Sequence, residues 1–291
     1  MEWLQQLING ISLGSIYALI ALGYTMVYGI IKLINFAHGD VFMIGAFIGF
    51  FAIARWGLGF FPALILAMVV CAILGVLIER IAYKRLRNAT RIAALITAIG
   101  VSLLIEYTTI FFRGAQPEAY PDVIPNKSFH FLGAQISMQS IMILSVSIVL
   151  MIILQFIVHK TKIGKAMRAV SYDEEAARLM GINVDNTISI TFAIGSALAG
   201  AAGVIFGIYY TKIDPLMGII PGVKAFVAAV LGGIGIIPGA VAGGMVLGVV
   251  ETVVSALGFS LWRDAAAFVI LILILIFRPS GIFGKNTREK V

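Results

Sequence analysis

The chain has 291 residues, of which 60% are hydrophobic and only 12% are charged. A soluble domain carries about 25% charged residues, so this composition excludes a water-soluble globular protein and indicates the lipid bilayer as solvent. The net charge of +7 does not indicate a nucleic-acid-binding protein, because fourteen of the 21 Lys and Arg residues lie around 80–91, 160–178 and 278–290, beside apolar segments. This distribution is typical of the cytoplasmic loops of membrane proteins.

Nine apolar segments follow one another along the chain. A helix needs about 20 apolar residues to cross the hydrocarbon core of a bilayer. Together the segments predict an all-α polytopic membrane helix bundle with eight to ten transmembrane segments, about nine, forming a single transmembrane domain over 1–291. Gly, Pro or polar residues interrupt the pattern at 31–40 and 235–239, where either a broken or re-entrant helix or a loop is expected. The segments lie near 4–30, 37–54, 60–82, 91–112, 138–158, 187–209, 221–237, 239–257 and 262–277.

The basic residues also predict the orientation of the chain. Those in 83–91 and 159–186 place both loops in the cytoplasm and leave 113–137 as an external loop. Counting the segments then gives an external N-terminus and a cytoplasmic C-terminus, in the inner membrane of a bacterial cell. The Gly-interrupted segments 23–45 and 218–244 occupy corresponding places in the two halves, which is compatible with an internal repeat or with chance.

The cytoplasmic loop contains the best-defined short helix of the sequence. Ser171 followed by Glu174 has the pattern of a capping box, and Gly181 is placed for a left-handed C-cap, so a helix is expected over about 172–180. A helix this short is marginal in water by itself, so it must dock on something. Two surfaces remain open: its own membrane bundle, or a partner. The side chains available for docking are Ala176, Leu179 and Met180.

The same loop carries the first of several motifs that resemble a known family. Glu175-Ala176-Ala177-Arg178-Leu179-Met180-Gly181 resembles the Glu-Ala-Ala-x-x-x-Gly motif of ABC-importer permeases. Ile34-Asn35-Phe36-Ala37-His38-Gly39-Asp40, the Gly-Lys-Ala-Met-Arg-Ala string within 161–182, and Leu231-Gly232-Gly233-Ile234-Gly235-Ile236-Ile237-Pro238-Gly239-Ala240 occur with it in order. From about residue 5 to about 284 the chain is similar to permeases of branched-chain amino acid ABC importers. The resemblance implies a coupling helix that inserts into the ATPase through Glu174, Glu175, Ala176, Ala177, Arg178, Leu179, Met180 and Gly181.

The resemblance also implies what this chain works with. Leucine, isoleucine and valine would be its substrates, delivered by an external binding protein and driven by two ATP-binding subunits beside a second, related permease. The chain would not be an enzyme and would bind no cofactor, because ATP and Mg belong to the partner subunits. Permeases for sugars or nucleosides are similar enough to stay open as alternatives. An ion-coupled secondary transporter would need buried carboxylates near the midplane, of which the sequence indicates few.

Three ionisable residues lie within the predicted spans and are candidates for the translocation path or a gate. Glu106 and Glu251 each lie about six residues from the predicted outer end of a span, and Lys224 opens another span from the outside. A structural Lys224–Glu251 ion pair is one interpretation. The other is that these residues line the external entrance.

Asn35, His38 and Asp40 cluster at the first interruption. They either line the translocation path or cap helices in a cytoplasmic loop, and the predicted topology favours capping for Asn35 and Asp40. No metal site is expected, because His130 and His159 are distant from His38 and lie on opposite predicted sides.

Overall fold

The computed structural model describes residues 2–87, 89–125, 127–131 and 134–284. The predicted helical fold is confirmed, and twelve α-helices and four short strands lie within this part of the chain. The helices are α1 Glu2–Ile31, α2 His38–Ala54, α3 Phe60–Ile78, α4 Lys84–Leu86, α5 Arg91–Arg113, α6 Met138–Lys160, α7 Lys162–Tyr172, α8 Glu174–Leu179, α9 Val184–Tyr210, α10 Ile219–Gly232, α11 Ile237–Ala256 and α12 Arg263–Phe277; the strands are β1 Glu118–Ala119, β2 Ser128–Phe131, β3 Ala134–Ser137 and β4 Lys212–Ile213. A π-helical turn at Glu79–Tyr83 joins α3 to α4, and a 3₁₀ turn at Ser260–Trp262 precedes α12.

Seven of the described helical segments are long and apolar enough to cross a membrane, and the chain is therefore a multi-pass membrane protein. They are Trp3–Ile31, Phe60–Leu86, Ile92–Arg113, Met138–Lys160, Val184–Tyr210, Ile237–Ala256 and Ser260–Phe277. The other two predicted segments are also helical, but α2 has 17 residues and α10 only 14. At 1.5 Å per residue they measure about 25 Å and 21 Å, less than the ~30 Å hydrocarbon core. The number of crossings therefore stays a prediction.

The core is built on two helix contacts that depend on small residues. A Cβ on Gly203 of α9 would lie 2.1 Å from the carbonyl oxygen of Phe42, so α2 and α9 touch backbone to backbone. α1 and α11 run antiparallel and are equally close, since a Cβ on Gly14 would meet Met245 Cα at 2.8 Å. In lipid the hydrophobic effect does not draw helices together, so they pack through close van der Waals contact at small residues.

The connection after α5 contains strands that the sequence did not predict. β1 pairs antiparallel with β4, with Glu118 opposite Ile213, and β2 pairs antiparallel with β3. The first pairing holds the connection after α5 and the one after α9 at the same end of the bundle. Positions 126 and 132–133 of the predicted external loop, and the basic C-terminal residues 285–291, lie outside the described residues.

The two interruptions in the apolar pattern are different structures. Residues 32–37 form a non-helical link packed into the bundle, where Asn35 is only 3% exposed. The second interruption is a tight turn over 233–236 that joins α10 to α11. The amides of Ile282 and Phe283 donate to carbonyls of the last turn of α10 at 2.9 and 3.1 Å, so the segment after α12 closes this turn.

Candidate functional site

The predicted short helix exists, but its boundaries differ from those expected. α7 continues through Ser171, whose hydroxyl donates to the Arg168 carbonyl, so Ser171 is not an N-cap and the predicted capping box is wrong. Asp173 takes that role and accepts from the Ala176 amide at 2.9 Å. α8 is therefore a six-residue helix, and it ends as expected at Gly181, which has φ +82°.

α8 projects apolar side chains away from the bundle. Leu179 is 88% exposed and Met180 83% exposed, whereas Ala177 on the opposite face is buried. Ala176 is exposed, and so are Glu174, Glu175 and Arg178, with a Glu174–Arg178 ion pair of 3.1 Å along the helix. Ala177 is the one buried residue of α8, and the apolar Leu179 and Met180 face outward, away from the chain's own bundle.

A chain of polar contacts begins six residues after α8 and leads into the buried part of the bundle. Asp185, in the first turn of α9, accepts from Arg87 at 2.6 Å, and Arg87 also pairs with the fully buried Glu79. Ser189 donates to Glu79 at 2.6 Å. One turn beyond Glu79, the Tyr83 hydroxyl donates to the side chain of Asn35 at 3.0 Å. The contacts thus lead from the start of α9 to the link that precedes α2.

Asp40 and Glu106 line one cavity. Asp40 is 2% exposed and Glu106 6%, and the Ser102 hydroxyl donates to Asp40. Neither carboxyl has an ion-pair partner among the described residues. The cavity measures 230 Å³ and is otherwise mostly apolar; its lining residues are Tyr24, Phe36, Gly39, Asp40, Ile99, Ser102, Leu103, Glu106, Gly218, Ile219, Gly222, Val223 and Phe226.

The structure corrects the capping interpretation of Asn35 and Asp40. The N-cap position of α2 is Ala37, which makes no side-chain cap bond, and both polar residues are buried inside the bundle. Asn35 accepts from Tyr83, and Asp40 faces the cavity. The ring of His38 lies 4.7 Å from the ring of Tyr24, which lines the cavity. It packs against Gly23, where any larger side chain would collide with it.

Lys224 and Glu251 form a buried ion pair, with Lys224 Nζ 2.9 Å from Glu251 Oε1. A structural pair was one of the two interpretations of these residues in the sequence. Asp264 contacts Lys224 at 2.6 Å, and Arg263 lies 3.5 Å from Glu251. Residues 219, 222, 223 and 226 face the cavity and share one side of α10, so Lys224 points to the other side. The structure therefore separates Lys224 and Glu251 from Glu106.

Sequence reasoning missed Glu79, Arg87, Asp185 and Ser189. The acid at position 79 ends a strongly apolar run, and seven residues, three of them basic, separate it from Arg87. An acidic residue at that place, with basic residues close after it, was a usable signal for a buried pair. Its contact with α9 could not be read from local spacing.

Comparison with known proteins matches the whole membrane domain. Residues 6–277 match the family described as branched-chain amino acid transport system, permease component. The chain belongs to this family. The high-affinity branched-chain amino acid transport system permease protein BraD of Pseudomonas aeruginosa is 44% identical, and the alignment covers 100% of this chain and 98% of BraD.

Other relatives extend the comparison within and beyond the family. The permease protein LivH of Salmonella typhimurium is 43% identical over 100% of this chain and 98% of its own length. The ribose import permease protein RbsC of Escherichia coli is 31% identical over 42% of this chain and 40% of its own length. No solved structure matches. A transport subunit, not an enzyme, is the kind of protein that this family contains.

Proposed function

We propose that the chain is the membrane-spanning permease subunit of an ATP-binding-cassette importer that carries leucine, isoleucine and valine into a bacterial cell. The full-length relatives named for this transport support the substrate class. Two ATP-binding subunits would supply ATP and Mg, a second related permease would complete the pore, and an external protein would deliver substrate. The single observation that carries the coupling role is the outward-facing Leu179–Met180 pair on a helix fixed at both ends.

The proposed topology has nine crossings, with the N-terminus outside and the C-terminus in the cytoplasm. Two sets of contacts support it. Arg168 and Ser171 of α7 line one cavity with Gly29 and Gly235, and so the inner ends of α1, α7 and α11 lie together. At the other end β1 pairs with β4. The first end holds most of the basic loops, as the positive-inside rule requires of a cytoplasmic face.

Coupling would run through rigid contacts. When ATP binding brings the two ATP-binding subunits together, α8 would move with them as a rigid body. Its Asp173 cap and its Gly181 end resist unwinding. Asp185 follows α8 by six residues and is tied through Arg87 and Glu79 to α3. Displacement would then reach the link before α2 and change which side of the membrane the cavity lined by Asp40 and Glu106 meets.

Removing the outward-facing apolar pair tests this function. The double variant Leu179→Asp, Met180→Asp should reduce the amount of ATPase that co-purifies in mild detergent by at least tenfold. Two apolar side chains buried at an interface contribute about 1.5–3 kcal/mol each, and buried carboxylates would oppose docking. The measurement is the ratio of ATPase to permease after affinity purification of the permease.

The matched control makes the same substitution at an apolar residue elsewhere. Leu261 is 98% exposed and lies at the opposite end of the bundle. Leu261→Asp should leave ATPase recovery at the wild-type level. Equal recovery with both variants would show that α8 is not the docking element.

One observation favours an ion-coupled transporter as the second candidate. Such a protein needs buried carboxylates within the bundle, and Asp40 and Glu106 are such a pair. Uptake that stops when the ion gradient is collapsed but persists without ATP would support it. Uptake inhibited by excess ribose or a nucleoside, and not by leucine, would instead favour an importer of another small solute.

A further inference from the structure

The two shorter apolar helices, α2 and α10, begin beside each other. A Cβ on Gly39 in the first turn of α2 would lie 2.5 Å from the Gly218 carbonyl oxygen, and a Cβ on Gly218 would lie 2.4 Å from that of Gly39. Both glycines are buried. α2 then leads toward the β1–β4 end of the bundle, where Gly49 meets Tyr120, while α10 leads to the opposite turn at 233–236. Both helix N-termini therefore lie inside the bundle.

These two N-termini differ in charge. α2 carries Asp40 in its first turn, whereas α10 has no acidic residue there. Neither Ala37 nor Gly218, the respective N-cap residues, makes a side-chain cap bond. The first amides of a helix lack partners within the helix and carry the positive end of its dipole. The start of α10 therefore presents a positive dipole end, and the acid Asp40 lines the same cavity as Gly218 and Ile219.

The acidic part of this cavity is built from two buried acids without a counterion. Glu106 lies one turn beyond Ser102 on the same face of α5, Ser102 donates to Asp40, and both acids line the same cavity. No basic residue is among the described residues that line the cavity. An uncompensated buried charge is costly, so a group of acids held this way favours a cationic ligand.

We propose that this cavity binds a zwitterionic aliphatic amino acid during translocation. Its ammonium group contacts Asp40 and Glu106, and its carboxylate faces the start of α10. The apolar side chain packs among the remaining lining residues, which include Phe36, Leu103 and Phe226. This inference rests on the proposed function and names the substrate site within it.

The cavity is open on one side. Ile99, Leu103 and Ile219 line it and are each more than 40% exposed, so the opening lies on the outer surface of this chain. Two carboxyl groups beside an opening that faces lipid would carry a high free-energy cost. We therefore expect the second permease subunit to cover this face and to complete the site.

Transport by the reconstituted importer tests the substrate site. Proteoliposomes would hold the complete complex with binding protein and labelled leucine on the delivery side and ATP on the other. The variant Asp40→Asn, Glu106→Gln should lose about tenfold to hundredfold of leucine uptake, the range for losing hydrogen bonds to a charged group. Binding-protein-stimulated ATP hydrolysis should stay within twofold, because α8 is unchanged.

Two further variants separate substrate contact from structural support. Glu106→Asp keeps the charge and should restore most of the uptake lost in Glu106→Gln. Thr109→Val is the matched control, one turn farther along α5 and also buried, with its hydroxyl bonded only to the Ile105 carbonyl. It should leave uptake unchanged.

Each outcome decides the proposal. Wild-type uptake by the double variant, or by Glu106→Gln alone if the double variant fails to assemble, would overturn it. So would a parallel loss of uptake and ATP hydrolysis that Glu106→Asp does not relieve, because the acids would then support the fold. Wild-type proteoliposomes without ATP-dependent, binding-protein-dependent uptake would instead refute the proposed function.

Discussion

Arg87→Met should destabilise the protein by about 3–5 kcal/mol, the cost of breaking a buried ion pair at one partner. Glu79 is fully buried and Arg87 is its ion-pair partner, so the variant leaves a carboxylate without compensation. A loss of this size is a large part of the stability of a typical protein. The measurement is the free energy of unfolding of the detergent-solubilised protein, together with its yield in membranes.

The neighbouring Lys84 provides the matched control. It contacts Asp185 at 2.7 Å, but both side chains are nearly half exposed. Lys84→Met should therefore cost less than about 1 kcal/mol. Adding Glu79→Gln to Arg87→Met should recover part of the stability, since the uncompensated charge is removed. If Arg87→Met and Lys84→Met cost the same, the buried Arg87–Glu79 pair is not a major source of stability.

Lys224→Met should cost about 3 kcal/mol, because Glu251 is fully buried and loses its nearest cation. Arg263 and the Tyr17 hydroxyl stay in contact with Glu251 and moderate the loss. The double variant Lys224→Met, Glu251→Leu should be nearly as stable as the wild type, because both charges are gone. Thermal unfolding in detergent measures both effects.

Transport by the double variant distinguishes the two roles that the sequence left open. Retained leucine uptake would establish Lys224 and Glu251 as a structural pair. Asp264→Asn is the control, since Asp264 is half exposed and its loss leaves the Lys224–Glu251 contact in place. A stable double variant that no longer transports would place the pair at the external entrance.

Local signals in the sequence predicted the helices well, and they failed where an element depends on a distant partner. Apolar length located nine helices, seven of them long enough to cross a membrane, and Gly181 marked the end of α8 because its positive φ favours glycine. The capping box at Ser171 was wrong because α7 continues through that residue and Asp173 offers a better-placed cap. Two candidate N-caps two residues apart cannot be ranked without knowing where the preceding helix ends.

The cavity lined by Asp40 and Glu106 could not be derived from spacing alone. Asp40 and Glu106 are 66 positions apart and were predicted at different depths, because 31–40 was treated as a cytoplasmic interruption. Packing draws residues 32–37 into the bundle and places the start of α2 beside Gly218. The Gly-interrupted segments 23–45 and 218–244 contain Gly39 and Gly218, whose close contact lies at this cavity.

The most direct test of the account is the accessibility of Met180 from each side of the membrane. The natural chain has a single cysteine, Cys71, which is fully buried, so a Met180→Cys variant provides one accessible thiol. In inverted membrane vesicles, a membrane-impermeant maleimide should label it rapidly, and added ATP-binding subunits should block labelling. Labelling from the outside of intact cells, or equal labelling with and without those subunits, would contradict a cytoplasmic coupling helix at 174–179.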